Sequence, residues 1–170
     1  MNFYIHDIYA LHFTQMDEKD SQSVLEFRNH PEISKWMYSR NISKKAHLDF
    51  ISSLKNNPLS HYWLIKRGSL LLGVGSITRV NFTHKHAYLG IYKNPCLQNV
   101  GTEILKCLES IAFVEFELHT LHLEVLESNR KAIGFYKRHD YIYEGKLLDF
   151  IFRDNKYENV LIYGKRKNND

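Results

Sequence analysis

Between Leu121 and Tyr141 the chain runs Leu-His-Leu-Glu-Val-Leu-Glu-Ser-Asn-Arg-Lys-Ala-Ile-Gly-Phe-Tyr-Lys-Arg-His-Asp-Tyr. Leu121 to Leu126 reads as a short apolar strand, Asn129 as a helix-start residue, and Arg130 to Arg138 as a short helix that carries Tyr136. Upstream, Gln98-Asn-Val-Gly101 sits at the mouth of another helix. A helix start presents backbone N–H groups without partners, and the aligned peptide dipoles add partial positive charge, so such an end can hold an anion. Two strand-to-helix units of this kind place the chain among mixed α/β folds.

The other elements fit that class. Phe3 to Phe13 has the composition of a first strand, and Asp17 to Asn29 reads as a helix with Val24, Leu25 and Arg28 on one side, broken by Pro31. Ser43 caps a second helix that ends at Asn57-Pro58 and carries Phe50, Ile51 and Leu54. Tyr62 to Lys66 and Leu70 to Thr78 form a hairpin around Arg67-Gly68-Ser69, with His86 to Lys93 as the next strand before Asn94-Pro95. Thr102 to Leu118 is a long helix with Ile104, Leu105, Leu108, Ile111 and Ala112 on one face. Gly145 to Phe152 and Tyr157 to Tyr163 close a last hairpin around Asp154-Asn155. The expected order is β-α-α-β-β-β-α-β-α-β-β in a single domain over residues 1–170, without repeats or linkers.

Composition narrows the function. The net charge of +4 is carried by scattered Lys and Arg, with Lys165-Arg166-Lys167 as the one run. That pattern favours small anions and lacks the basic stripe of a nucleic-acid binder. Two cysteines, Cys96 and Cys107, make no disulfide framework and read as packing residues in a reducing cytoplasm. The opening Met-Asn-Phe-Tyr-Ile-His-Asp lacks a basic region followed by an apolar run, and no apolar run approaches the ~20 residues of a membrane helix. The expectation is a cytoplasmic protein with no membrane contact. His84-x-His86 and His119-x-x-His122 are close pairs without a Cys or acidic residue at ligand spacing, so no metal is expected.

Gln98-x-x-Gly101 at a strand–helix junction, together with Asn129-x-x-Ala132-Ile133-x-x-Tyr136-x-x-x-x-Tyr141, resembles the Gcn5-related N-acetyltransferase (GNAT) superfamily over nearly the whole chain. The resemblance implies the GNAT fold, a mixed and mostly antiparallel sheet of about seven strands flanked by four helices. It implies acetyl-CoA as cosubstrate. It also implies that Ile91 and Lys93 on the strand, with Gln98, Asn99, Val100, Gly101, Thr102 and Glu103 after it, hold the carrier's pantetheine and pyrophosphate, and that Asn129 and Tyr136 reach it near the thioester. Glu103 departs from the family, which usually has Gly or Ala there. A carboxylate beside a pyrophosphate repels it unless the side chain points outward, and Lys93, Arg130 and Lys131 are cations able to offset it.

Direct amine attack on a thioester needs a proton for the leaving thiolate and a base for the amine. A phenol of pKa ~10 matches a thiolate of similar basicity, which makes Tyr136 the expected general acid; the other reading is a tyrosine packed on the sheet, as for Phe135. Glu124 sits mid-strand on the face opposite Leu123 and Val125. A carboxylate there is costly unless it faces a cleft or a partner, so Glu124 is either the base or a salt-bridged strand residue, with His47 and His86 next as bases. The resemblance makes the first two helices and their loop an acceptor lid. Arg28, His47, Thr78, Arg79 and Tyr92 are the expected substrate contacts. Arg28, Arg40 and Arg79 suit a diphosphate, and Trp36 or Tyr38 suits a flat base.

Leu25-Glu-Phe-Arg-Asn-His-Pro-Glu-Ile-Ser-Lys-Trp-Met-Tyr resembles the opening of the ribosomal-protein N-terminal acetyltransferase branch. Leu72-Gly-Val-Gly-Ser-Ile-Thr, His84-Lys-His, Tyr88-Leu-Gly-Ile-Tyr-Lys-Asn-Pro and Leu121-His-Leu-Glu-Val more closely resemble the nucleotide-sugar N-acetyltransferases of pseudaminic acid biosynthesis. That resemblance implies acetylation of the 4-amino group of a UDP-linked 4-amino-4,6-dideoxy sugar, feeding flagellin glycosylation. A protein N-terminal acetyltransferase and a non-catalytic acyl-CoA-binding domain remain the alternatives. The final hairpin, with Ile151, Phe152, Val160, Leu161 and Ile162, either lends an edge to a homodimer or is covered internally.

Overall fold

A computed structural model describes residues 1–167. Its strands are β1 (Phe3–Ile5), β2 (Ile8–His12), β3 (His61–Arg67), β4 (Leu70–Asn81), β5 (His86–Lys93), β6 (Thr120–Leu126), β7 (Ile142–Arg153) and β8 (Lys156–Arg166). Its helices are α1 (Glu18–Asn29), α2 (Pro31–Ser34), α3 (Lys44–Ser53), α4 (Gly101–Ser110) and α5 (Arg130–Lys137). The strands form an eight-stranded sheet in the order β1-β2-β3-β4-β5-β6-β8-β7. The class and order are those expected, with one strand and one helix more than the expected seven and four. Phe3 to Phe13 folds back on itself because His6 takes a left-handed φ of 56°, which splits it into β1 and β2. Pro31 does more than end α1: as the first residue of α2 it starts a single extra turn, capped by the His30 side chain.

Local signals account for the rest. Asp17 and Ser43 cap α1 and α3 through their side-chain oxygens, on the N–H groups of Asp20 and Ala46. The helix expected from Thr102 to Leu118 stays α-helical to Ser110 and then widens to a π turn over Ile111–Glu115, where Phe116 N–H bonds the Ile111 carbonyl at 2.9 Å.

In β6, Leu121, Leu123 and Val125 are buried while His122 and Glu124 take the other face, as the two-residue period of a strand requires. The inner face of α4 (Ile104, Leu105, Cys107, Leu108) packs on that buried side with Trp63, Leu72 and Ile77. Desolvation pushes the Cys107 thiol up to about 12, which leaves it unreactive. A second cluster of Phe13, Val24, Leu54, Leu64 and Val74 packs α1 against the sheet.

All neighbouring strands are antiparallel except β5 and β6. That parallel pair is joined only at His86–Thr120, Ala87–Leu121 and Tyr88–His122. Beyond these three rungs the strands part, and the split opens toward Lys93 and Leu126.

His12, at the end of β2, is 5% exposed. Its Nδ1 lies 2.8 Å from the Thr14 hydroxyl and accepts the Thr14 N–H, while its Nε2 is buried without a partner among the described residues. Burial, aided by nearby positive charge, pushes its pKa down to about 4. The unfolded chain takes up this proton near pH 6.5 and the folded chain only near 4. The contribution is therefore full above about pH 6.5 and is lost as pH falls toward 4, by up to about 3 kcal/mol. Urea midpoints measured between pH 7 and 4 should fall less for His12→Phe than for the parent; equal falls rule out this origin.

Candidate active site

The split between β5 and β6 opens into a cleft of about 690 Å³. Thr78, Arg79, Ile91 and Tyr92 line one wall, Glu124, Asn129 and Tyr136 the other, and Arg28, Trp36, Tyr38 and His47 roof it. The expected catalytic and acceptor-contact residues thus meet at one site, from elements far apart in sequence. Lys93 and residues 98–103 lie outside the lining, where β5 runs on into α4.

Glu124 reaches the cleft because β6 turns its even-numbered side chains that way. One carboxylate oxygen, Oε2, accepts the Tyr38 hydroxyl at 2.7 Å, and the other, Oε1, pairs with the Arg79 guanidinium at 2.8 Å. Burial first, then the bond to Glu124, raises the Tyr38 pKa, so this phenol stays protonated. Arg79 occupies a bulge in β4, where the register to β5 shifts between Thr78 and Asn81. Its φ of 51° is uncommon for a non-glycine residue, and the Val80 N–H turns away to the Leu59 carbonyl at 3.1 Å. The Thr78 hydroxyl faces the Tyr88 carbonyl at 3.4 Å, within its own sheet.

Tyr136 is buried on the inner side of α5, edge-on to Phe135 and Tyr141. Among the described residues no protein group bonds its hydroxyl, and desolvation raises its pKa. It therefore holds its proton at neutral pH. Burial disturbs the simple match to a thiolate in water, but a thiolate formed in the same dry surroundings is destabilised too.

The carrier-loop residues divide by what their side chains already do. Val100 precedes α4 without a side-chain cap, so the first-turn N–H groups of Gly101, Thr102 and Glu103 have no protein partner among the described residues. Asn99 takes a left-handed φ of 59° to enter the helix, with Gln98 exposed beside it. A Cβ at Gly101 would lie 3.3 Å from the Phe135 ring, so this glycine keeps α4 close to α5. Thr102 Oγ1 is 3.0 Å from His139 Nε2; because His139 Nδ1 bonds the Phe135 carbonyl, Nδ1 carries the proton and Nε2 accepts. Glu103 does point away: its Oε2 accepts from Arg67 at 2.6 Å, a partner not anticipated. Lys93, expected at the pyrophosphate, instead turns its ammonium onto the carbonyls of Asn94, Pro95 and Leu97. Asn129 uses its Oδ1 to cap α5 at Ala132 N–H (3.1 Å), leaving its amide nitrogen for any ligand.

The roof is similarly tied down. Arg28, expected on a diphosphate, donates to the carbonyls of Arg40 (2.7 Å) and Ser39 (2.6 Å). Arg40 pairs with Asp154, and Arg153 donates to the carbonyls of Lys35 (2.7 Å) and Met37 (3.1 Å). His47 Nε2 lies 3.0 Å from the Ser21 carbonyl, and burial lowers its pKa, so it is a neutral tie between α3 and α1. Burial raises the pKa of Tyr92, which faces Arg28. The sequence reading missed the roof's dependence on Arg153 and Asp154 and the bond from Tyr38 to Glu124. Partners 86 and more residues apart leave no periodic signal.

Among the described residues no helix is long and apolar enough to cross a membrane, and no cluster of three or more His, Cys, Asp or Glu could hold a metal. The family model described as acetyltransferase (GNAT) domain matches residues 10–141. Acetyltransferase PseH of Campylobacter jejuni is 29% identical over 138 residues, which covers 81% of this chain and 87% of that protein. Spermidine N(1)-acetyltransferase of Vibrio cholerae is 29% identical over 93 residues, 53% of each. The crystal structure of Campylobacter jejuni PseH in complex with acetyl coenzyme A matches with a TM-score of 0.74 at 19% identity, over 95% of this chain and 99% of that one. Vibrio cholerae spermidine N-acetyltransferase in complex with CoA and spermine gives 0.82 at 17%, over 95% and 96%. At these identities the structural matches bear on the fold.

Proposed function

The chain belongs to the acetyltransferase (GNAT) family, and from that premise we propose that it transfers acetyl from acetyl-CoA to the 4-amino group of a UDP-linked 4-amino-4,6-dideoxy sugar, UDP-4-amino-4,6-dideoxy-N-acetyl-altrosamine, in pseudaminic acid biosynthesis. The charge of the cleft is the observation that carries this reading. Among the described residues its lining holds two arginines, Arg28 and Arg79, and a single carboxylate, Glu124, which is already paired with Arg79. A polyamine needs unpaired carboxylates along its length, whereas the positive charge that Arg28 keeps while it bonds the Ser39 and Arg40 carbonyls favours a diphosphate through its field. The apolar roof of Ile33, Trp36, Met37 and Phe50 suits the methyl and N-acetyl groups of a dideoxy sugar. The longer match to PseH points the same way. The tied-down roof argues against an N-terminal peptide, which needs an open groove.

In the mechanism, the free N–H groups of Gly101, Thr102 and Glu103 meet the pyrophosphate of the carrier, and Arg67 keeps the Glu103 carboxylate from opposing it. Glu124 takes a proton from the acceptor ammonium, directly or through one water. The amine lone pair then forms a bond to the thioester carbonyl carbon, and the C–S bond breaks with its electron pair going to sulfur. Tyr136 gives its proton to that sulfur, the acetylated nitrogen loses its remaining extra proton through solvent to the Tyr136 oxygen, and Glu124 releases its proton to water, so the balance is amide, CoA thiol and one H+.

A thiol-release assay with acetyl-CoA tests the reading against the UDP-amino-sugar, spermidine and a ribosomal N-terminal peptide. The nucleotide sugar should exceed the others in kcat/KM by about 100-fold or more. Faster turnover of spermidine or peptide reassigns the acceptor, and CoA binding without turnover of any amine makes the chain a non-catalytic binder.

A further inference from the structure

Arg79 stands in the acceptor cleft with the wrong partner for a phosphate ligand. Its guanidinium carbon lies 3.5 Å from the centroid of the Tyr88 ring, and its Nη2 lies 2.8 Å from Glu124 Oε1. Three built features put it there. The bulge between Thr78 and Asn81 lets residue 79 leave the strand's alternation. The left-handed backbone at φ 51° turns the side chain across β5. Tyr88 supplies a flat platform whose π face holds the guanidinium over the ring. The Arg79 side chain is 56% exposed while that of Glu124 is only 14% exposed, so the charge reaches inward from a wet position to a drier one. Tyr38 completes the arrangement on the other carboxylate oxygen at 2.7 Å.

We propose that Arg79 is a positioning residue for Glu124: seated over the Tyr88 ring, it fixes the rotamer of the carboxylate that accepts the amine proton, and it is not a contact to the acceptor's diphosphate. This rests on the base role proposed for Glu124 and is independent of which amine is the acceptor. An ion pair to one oxygen leaves each carboxylate oxygen a further lone pair, so the acceptor can reach Glu124 while Arg79 stays in place. Tyr38 bonds Glu124 directly, Tyr88 lies against Arg79, and His122, two residues back on the same face of β6, has its Nδ1 2.8 Å from Glu144; His47, Tyr62, Tyr92 and Tyr136 line the same cleft.

The test uses whichever amine the wild-type enzyme acetylates, with kcat and acceptor KM measured separately for Arg79→Ala, Arg79→Lys and Glu124→Gln. Arg79→Ala should lower kcat by roughly 100-fold and leave acceptor KM within about twofold, because the carboxylate is no longer held in one rotamer beside the acceptor amine. Arg79→Lys should recover part of kcat, since it restores the charge without the planar stack. A raised acceptor KM with kcat unchanged overturns the proposal and makes Arg79 a substrate contact. Wild-type turnover in Glu124→Gln removes the base itself, a distinct failure that leaves the acetyltransferase reading intact.

Discussion

Tyr136→Phe lowers kcat by about 100-fold or more while acetyl-CoA binds as before. The substitution removes one oxygen that no protein group bonds among the described residues, so it costs the fold little. What it removes from the reaction is the proton for the departing thiolate, a contribution of order 10²–10⁴ for a positioned acid. Acetyl-CoA affinity measured by calorimetry, set beside single-turnover rates, separates the two effects. A rate within twofold of the parent, with affinity intact, leaves Tyr136 as packing for α5. A joint loss of affinity and stability would show that the ring acts through the sheet.

Gly73→Ala is expected to cause the largest loss of stability from a single methyl. A Cβ at Gly73 would stand 2.5 Å from the Tyr92 carbonyl oxygen, 2.7 Å from Lys93 Cα and 2.8 Å from Ile104 Cδ1. Two of those three atoms are backbone, so no rotamer change relieves the overlap; β4, β5 and α4 must separate. The cost is about 3 kcal/mol, at the upper end of overpacking effects, and the melting temperature falls by roughly 6–12 °C. Because Ile104 belongs to the first turns of α4, the same shift displaces the N–H groups proposed for the pyrophosphate, and acetyl-CoA affinity drops with stability. Gly145→Ala is the matched control: its Cβ meets nothing within 4 Å. If both variants melt like the parent, the close approach of α4 to β4 is not a stability determinant.

These two residues also mark what could be read from the sequence. Tyr136 was legible because a strand, a capping Asn and an amphipathic turn lie next to one another in the chain, and local periodicity fixes where each side chain points. The same holds for Glu124, whose face is set by two-residue alternation. Arg28, Lys93 and Asn129 were legible as to place but not as to partner. Each lies where a ligand contact was expected, yet their polar atoms bond the 39–40 carbonyls, the 94–97 carbonyls and the Ala132 N–H. Buried or folded-in polar groups must find such partners, and only three-dimensional proximity says which. Arg67 and Glu103 make the reverse case, where an apparent conflict with the pyrophosphate was resolved by a residue 36 positions away. His6 and the π turn at Ile111–Glu115 were missed because neither has a Gly, Pro or Asn to mark it.

The roof segment depends on residues made long after it. Arg153 holds the carbonyls of Lys35 and Met37 across 118 and 116 positions of chain, and Asp154 holds Arg40 across 114. During synthesis, α1, α2 and the segment after them leave the ribosome well before the β7–β8 hairpin exists to fasten them. The cleft is therefore among the last parts of the molecule to form. A nascent chain halted before Arg153 carries β6, α5, Glu124 and Tyr136 but leaves the roof without these ties. The strand neighbour of Glu124 comes later still, because Ile162 of β8 is its partner across the sheet.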